Sequence, residues 1–139
     1  MTKYQKRISG PLLDRIDIYI EVTRVNYEKL SGDRVGESSE SIRVRVQAAR
    51  NIQHRLADHD SDIICNADMR VREIRQFSML QDEGQSLMRA AMNQMNLSAR
   101  AYHRILKLAR TFANLADSED IQSTHLSGEL QYRPKLIMG

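Results

Sequence analysis

Residues 97–110 read LSARAYHRILKLAR, and this stretch predicts the central helix of the molecule. Ser98 is a favourable N-cap because its hydroxyl can accept a backbone N–H of the first turn, and no Gly or Pro follows until Gly128. A helix with about 100° per residue gathers most of the apolar side chains on one broad arc. They are Ala101, Tyr102, Ile105, Leu106, Leu108, Ala109, Phe112, Ala113 and Ala116. An arc of this width has to be covered by several neighbouring elements.

The remaining face of this helix carries a basic stripe. We define the stripe as Arg100, His103, Arg104, Lys107 and Arg110. A face with this concentration of positive charge is expected to meet either solvent or an anion. Periodicity alone favours the simpler interpretation, which is a solvated face.

Length and composition set broad limits on the function. The 139 residues suffice for one domain with a real core, and a formal net charge of +3 permits contact with a polyanion without requiring it. The single cysteine, Cys65, excludes a disulfide framework within the chain. Neither a secretion signal nor an apolar run of the ~20 residues needed to cross a bilayer is present. A cytoplasmic protein with no membrane contact is therefore expected.

The first part of the chain predicts a lone strand. Ile16, Ile18, Ile20 and Val22 alternate with polar or aromatic residues, which is the period of a strand with one covered face. No second convincing strand follows, and a strand without a partner leaves its backbone polar groups unsatisfied. Residues 16–22 are therefore expected to be an orphan strand that either belongs to a sheet lying elsewhere or pairs with another chain, followed by a linker over residues 23–37.

Helical patterns fill the rest of the chain and predict a compact bundle of about five helices. The first predicted helix begins at Ser38 or Ser39 and ends within residues 58–62. The next four run from Asn66 to Arg75 or Phe77, from Asp82 to Met95, from Ser98 to Ala116, and from Ser123 or Thr124 to Arg133. In the first of them, Ile42, Val46, Ala49 and Leu56 form the predicted inner face. The fold class is thus mainly α.

Motifs for independent catalysis are missing. The chain has no Gly-x-x-x-x-Gly-Lys-Ser/Thr loop to cradle phosphates, and no Gly-x-Gly-x-x-Gly after a strand. Its histidines, His54, His59, His103 and His125, lack the spacing of metal ligands, so no metal site is predicted. The polypeptide by itself is expected to be non-catalytic.

Two separated motifs resemble one family. The sequence RISGPLLDRID at residues 7–17 resembles the arginine-finger segment of magnesium-chelatase-like AAA+ ATPases, and LSARAYHRILKLART at residues 97–111 resembles the sensor-2 helix of the same family's C-terminal lid. Residues 66–67, 82–84 and 125–133 fit the same pattern in order. The resemblance is nearest to the competence-type branch, a group of hexameric, helicase-like proteins that includes a DNA branch-migration motor.

The resemblance implies roles for particular residues. Arg15 would be the arginine finger, acting in trans on nucleotide held by the neighbouring subunit, and Asp14 would orient it. A guanidinium suits this task because it is always charged and can bind two phosphate oxygens. Arg100 would be sensor 2, contacting nucleotide in its own subunit, with Arg104 one turn further along as the reserve candidate.

The resemblance also implies a larger parent protein. Residues 1–36 would be the last strand of the AAA+ core with a linker, and residues 37–139 would be the helical lid. Walker A and Walker B motifs are absent from this sequence, so the chain alone is expected neither to hydrolyse ATP nor to bind a cofactor. ATP and Mg²⁺ would be bound by the full-length parent, whose expected partners are its own N-terminal core, further copies in a homo-hexamer, and DNA.

Three other interpretations stay open at this stage. The basic stripe could face the phosphates of a nucleic acid in a simple helical binding module, a contact that would depend strongly on salt. The parent could instead be the motor subunit of a metal chelatase. The bundle could also serve only as a structural interaction domain.

Overall fold

A computed structural model describes residues 10–13, 15–56 and 62–132 of the chain. Within these residues the structure is mainly helical, as predicted, and five of its helices have seven residues or more. The α-helices are α1 (Gly10–Leu13), α2 (Tyr27–Leu30), α3 (Ser39–Leu56), α4 (Val71–Phe77), α5 (Asp82–Gln94), α6 (Ala99–Leu115) and α7 (Ser123–Gln131), and a 3-10 helix spans Asn66–Asp68. None of the described helices combines the length and apolar character of a bilayer-spanning segment.

Helix α6 is the centre of the bundle. The predicted cap is confirmed, because the Ser98 hydroxyl accepts the N–H of Ala101 at 3.1 Å. Helices α3, α4 and α7 and the 3-10 helix contact α6, and α5 packs against α7. The core cluster consists of Met69, Ile74, Met88, Ile105, Leu106, Ala109, Ala113, Ile121 and Leu126. The wide apolar arc of α6 is therefore covered from several sides.

The inner face predicted for α3 is only partly buried. Ala49 is 3% exposed, but Ile42 and Val46 are each 43% exposed. The apolar side of α3 is therefore not buried in its first turns, because no described element covers them. Helix α3 is described as far as Leu56, and its predicted end within residues 58–62 falls largely on residues 57–61, which lie outside the described part of the chain.

The helix predicted from Asn66 is broken into two pieces. Cys65, not Asn66, precedes the 3-10 helix, and Met69 then adopts an extended conformation with ψ of 132° before α4 begins. The Asp68 carboxylate accepts the N–H groups of Ile64 and Cys65, both at 3.1 Å. These bonds cap the start of the 3-10 helix, and the Glu73 carboxylate accepts the N–H of Arg70 at 2.9 Å, which caps a separate start for α4.

The predicted orphan strand does not form a strand in the structure. Residues 16–22 form no regular secondary structure, and the backbone N–H of Tyr19 donates to the carbonyl of Tyr132 at 3.0 Å. No strand among the described residues offers a ladder, so the alternating pattern has nothing to pair with. The predicted linker also contains the short helix α2.

Candidate anion-binding cleft

A cleft of about 410 Å³ lies along the N-terminal half of α6. We call it the α6 cleft. It is lined by Asp17, Ala67, Arg100, His103, Arg104, Lys107, Leu108 and Thr111. Most members of the basic stripe therefore line one concave surface, and Asp17 is the only carboxylate among the described residues that line it.

Arg104 joins α6 to the segment before α2. Its Nε donates to Oδ1 of Asp17 at 2.8 Å, and a terminal nitrogen lies 2.7 Å from the same oxygen. That guanidinium also donates to the backbone carbonyl of Arg15. The Arg104 side chain is only 18% exposed, so its charge is compensated by Asp17 and its donors are directed at this segment.

Lys107 connects α6 to the wall of the cleft that the 3-10 helix forms. Its Nζ donates to the carbonyl of Ala67, in the 3-10 helix, at 2.7 Å. The neighbouring Asp68 keeps that helix in place through its bonds to the N–H groups of Ile64 and Cys65. The same bonds lower the pKa of the Asp68 carboxyl, which Lys107 lowers further. The wall is therefore fixed by charge-assisted hydrogen bonds.

A buried polar contact supports the base of this wall. Asn66 is 5% exposed, and its side-chain amide donates to the Thr111 hydroxyl at 3.0 Å and lies 2.9 Å from the amide of Asn114. Its backbone N–H donates to Oε1 of Gln53 in α3 at 3.0 Å. Asn66 thus ties α3, the 3-10 helix and α6 together, a role that sequence patterns alone did not indicate.

Arg100 differs from its neighbours in the cleft. It lies in the first turn of α6 and is exposed, and its guanidinium makes no hydrogen bond or ion pair with any described residue. The backbone N–H groups in the first turn of a helix also favour negative charge nearby. Among the described residues, nothing compensates the guanidinium at this end of the cleft, where the helix dipole also favours an anion.

Arg110 does not belong to the exposed stripe, and here the prediction of a solvated face is wrong. It is 5% exposed, and its guanidinium donates to the carbonyls of Ser118 and Glu119, each at 2.7 Å. Burial lowers the pKa of Arg110, while the charge of Asp120 acts in the opposite direction. Arg110 holds the connection between α6 and α7 against the bundle.

The predicted finger residue is near the cleft but outside its lining. Arg15 is exposed, and its backbone N–H donates to the carbonyl of Leu12 at 3.0 Å, while its own carbonyl is bound by Arg104. Its guanidinium contacts no described hydrogen-bonding partner. Asp14, predicted to orient it, lies outside the described residues.

Sequence patterns missed the contribution of Asp17. The alternation of residues 16–22 assigned it to the polar side of a strand, whereas the structure places it against Arg104, 87 positions further along the chain. Only its charge, opposite to that of the basic stripe, could have suggested this contact. Its spacing could not.

The described residues suit an anion better than a metal ion. No three His, Cys, Asp or Glu side chains among them come together as metal ligands. The carboxylate of the cleft, Asp17, is already bound to Arg104. Arg100 and Lys107 can meet phosphate or carboxylate oxygens, whereas the lining offers few oxygen ligands for Mg²⁺.

The fold and the cleft together define a mainly helical domain with a basic cleft along its central helix. The chain belongs to the magnesium chelatase family, because residues 36–133 match the family described as magnesium chelatase, subunit ChlI C-terminal. Residues 1–30 match the family described as magnesium chelatase, subunit ChlI. The resemblance inferred from the two motifs is thereby confirmed.

Several relatives match almost the whole chain. It is 40% identical over 133 residues to the competence protein ComM of Haemophilus influenzae, and the match covers 94% of this chain and 25% of the relative. It is 37% identical over 132 residues to the uncharacterized protein YifB of Escherichia coli, again covering 94% and 25%. The YifB of Salmonella typhimurium is 33% identical, with the same coverage. The chain therefore spans about a quarter of the length of these relatives.

Proposed function

We propose that this chain is the C-terminal lid of a magnesium-chelatase-related AAA+ ATPase that works as a hexameric motor on DNA. In this proposal Arg100 contacts the triphosphate bound to its own subunit, and Arg15 reaches the triphosphate of the neighbouring subunit. The observation that carries the proposal is the contrast within the α6 cleft. Arg104 is bound to Asp17 and to the Arg15 carbonyl, whereas Arg100 has no partner among the described residues.

That contrast favours Arg100 over Arg104 as the sensor residue. A guanidinium that already holds a carboxylate would have to lose this bond before it could meet a phosphate, at a cost of about 1 kcal/mol or more. Arg100 has no such bond to lose. Its position in the first turn of α6 adds the helix dipole to its own charge, which suits a phosphate group.

The surroundings of Arg15 support its assignment as a finger. The backbone is held on both sides, by the bond from its N–H to Leu12 and by the bond from Arg104 to its carbonyl. The side chain itself is exposed and contacts no described acceptor. A fixed backbone with an unengaged guanidinium is what contact in trans with another subunit requires.

The remaining parts of the machine would come from the parent. The relatives are about four times as long as this chain, so an N-terminal core with the Walker motifs could bind ATP and Mg²⁺. A DNA substrate follows from the resemblance to the competence-type branch, whereas the family description favours a chelatase motor as the alternative. In both cases the lid would supply cationic side chains and no metal ligands.

Steady-state ATP hydrolysis by the full-length protein tests the proposal. We expect Arg15→Ala to lower kcat by about 1000-fold or more, in the range seen for arginine fingers, and Arg100→Ala to lower kcat/KM by about 10-fold to 100-fold. Arg72→Ala is the matched control, because Arg72 is an exposed arginine on α4 whose side chain has no described partner. Turnover that is equal in all three variants and the wild type would contradict the proposal.

The isolated chain provides a second check on the same proposal. It lacks the Walker motifs, so we expect its rate of phosphate release from ATP to equal the rate without protein. If an ATPase activity copurifies with the chain and Arg100→Ala abolishes it, a different catalytic assignment would be required.

One observation favours nucleic-acid binding as a second candidate function. Helix α3 exposes Arg43, Arg50 and Arg55, none of which contacts a described acidic residue. Gel-shift titration of the isolated chain with duplex DNA at two salt concentrations tests this candidate. A phosphate-dominated contact predicts an affinity that falls steeply with salt, and Arg43→Ala with Arg50→Ala should weaken it. Absence of a shift at low salt would exclude it.

A further inference from the structure

Arg104 makes contacts with residues 15–17 that a sensor residue would not need. Its guanidinium binds the Asp17 carboxylate and the Arg15 carbonyl at once, so one side chain on α6 fixes the backbone from which the proposed finger projects. A further attachment of this segment is the bond from the N–H of Tyr19 to the carbonyl of Tyr132, just after α7. Both attachments are to the lid.

Stability alone is a weak explanation for this contact. The Asp17 side chain is 48% exposed, and partly exposed ion pairs contribute little, about 1 kcal/mol or less. The apolar side chains beside this contact are only partly buried, since Ile16 is 38% and Ile18 is 42% exposed. The bond therefore does more to set the position of residues 15–17 than to hold the bundle together.

The position of Arg104 relative to Arg100 gives this geometry a consequence. The two arginines lie one helical turn apart on α6 and line the same cleft. A helix moves as a unit over one turn. Any displacement of the start of α6 that accompanies anion binding at Arg100 would therefore also displace Arg104, and with it the carbonyl of Arg15.

We propose that Arg104 is a positioning residue that couples nucleotide contact at Arg100 to the placement of the Arg15 guanidinium in the neighbouring active site. This inference rests on the proposed function. Arg104 itself touches no nucleotide. It transmits the position of α6 to residues 15–17, so that the state of one nucleotide site affects hydrolysis at the next.

A double-mutant cycle in the full-length protein tests the coupling. Arg104→Met removes the donors but keeps a long apolar side chain on the helix, and we expect it to lower kcat about tenfold with KM nearly unchanged. If Arg104 acts through the finger, adding Arg104→Met to Arg15→Ala should cause no further loss. Effects that multiply in the double variant would overturn the inference, as would an unchanged kcat for Arg104→Met.

Substitutions on the other side of the contact guard against a folding defect in α6. Asp17→Ala leaves the helix intact and should reproduce the loss of kcat, whereas Asp17→Asn keeps an acceptor oxygen and should lose less. Arg104→Lys keeps the charge but cannot span both acceptors as a guanidinium does, so it should restore kcat only in part. If Arg104→Met lowers kcat by the expected factor of about ten while Asp17→Ala keeps the wild-type kcat, the inference would also be overturned.

Hydrogen exchange of the isolated chain supplies a readout independent of turnover. In Arg104→Met, the amide of Tyr19 should exchange at least several-fold faster than in the wild type, while core amides of α6 such as that of Ala109 should keep their protection. Unchanged exchange at Tyr19 would contradict anchoring by Arg104.

The outcomes separate the two proposals. If Arg15→Ala leaves ATP turnover unchanged, the finger assignment fails and the coupling inference fails with it. If Arg15→Ala and Arg100→Ala both lower turnover but Arg104→Met acts independently of Arg15→Ala, only the coupling inference fails.

Discussion

The two halves of α6 use the same residue type for opposite purposes. In the N-terminal half, Arg100 is exposed in the cleft and contacts no described partner. In the C-terminal half, Arg110 is 5% exposed and is bound to the carbonyls of Ser118 and Glu119. One half therefore leaves its charge exposed in the cleft, whereas the other uses its charge to fix a loop.

The difference comes from what covers each half. The loop over residues 116–122 folds back on the end of α6 and supplies carbonyl acceptors for Arg110. At the other end, Arg104 and Lys107 are engaged by Asp17 and Ala67, and Arg100 lies beyond these contacts. A charged residue on a regular stripe thus becomes structural or available according to its neighbours, not its periodicity.

The largest effect should follow from removing the buried charge. We expect Arg110→Met to lower the free energy of unfolding by about 3 kcal/mol, because two short charge-assisted hydrogen bonds to Ser118 and Glu119 are lost. Arg100→Met, the same substitution at the exposed end, should change it by less than about 0.5 kcal/mol. Urea denaturation of the isolated chain measures both. Equal effects at the two positions would remove the distinction between the halves.

A smaller loss is expected at the contact that supports the cleft wall. Asn66→Ala should lower the free energy of unfolding by about 2 kcal/mol, because the hydroxyl of Thr111 and the amide of Asn114 lose a buried partner. Asn93→Ala, at an exposed position of α5, is the control and should be nearly neutral. If the two variants denature at the same urea concentration, Asn66 does not tie the wall to α6.

The smallest effect concerns the stability of the fold at acidic pH, through a hydrogen bond at the start of α7. The Nδ1 of His125 accepts the N–H of Gln122 at 3.0 Å, which requires that nitrogen to be unprotonated. Burial, and to a smaller extent the charge of Arg110, lowers the pKa of His125 in the folded state. The unfolded chain therefore takes up the proton first, so stability should decrease as pH falls below the usual histidine range and through the folded pKa.

Thermal denaturation across that pH range measures this effect. His125→Gln removes the titrating group, and its Tm should fall less between neutral and mildly acidic pH than the Tm of the wild type. His54→Gln, at an exposed position near the end of α3, serves as the control and should keep the wild-type slope. Parallel slopes for His125→Gln and the wild type would exclude His125 as the source.

Much of the fold follows from local patterns in the sequence. Ser98 caps α6 as predicted, and the helices from Ser39, Asp82 and Ser123 begin where the patterns place them. These features depend on capping and on apolar periodicity, both of which are local. The exposed Ile42 shows the limit, because a periodic apolar face predicts that something covers it without identifying what does.

The site could be predicted only in part. Helical spacing placed Arg100 and Arg104 on one face, and the family resemblance suggested their roles. Neither the spacing nor the resemblance could distinguish Arg104, which is bound, from Arg100, which is exposed, because that difference depends on Asp17, which is distant in sequence. They also could not foresee that Arg110 is buried, because its acceptors are backbone carbonyls of a loop with no residue-type pattern.

Nucleotide affinity tests the central claim most directly. With a fluorescent ATP analogue and the full-length protein, Arg100→Ala should raise the Kd by about tenfold or more, since a charge-assisted contact to phosphate is lost. Arg72→Ala and Arg104→Met should leave the Kd within about twofold of the wild type. A Kd unchanged by Arg100→Ala but raised by Arg104→Met would contradict the assignment of Arg100 as the arginine that contacts nucleotide.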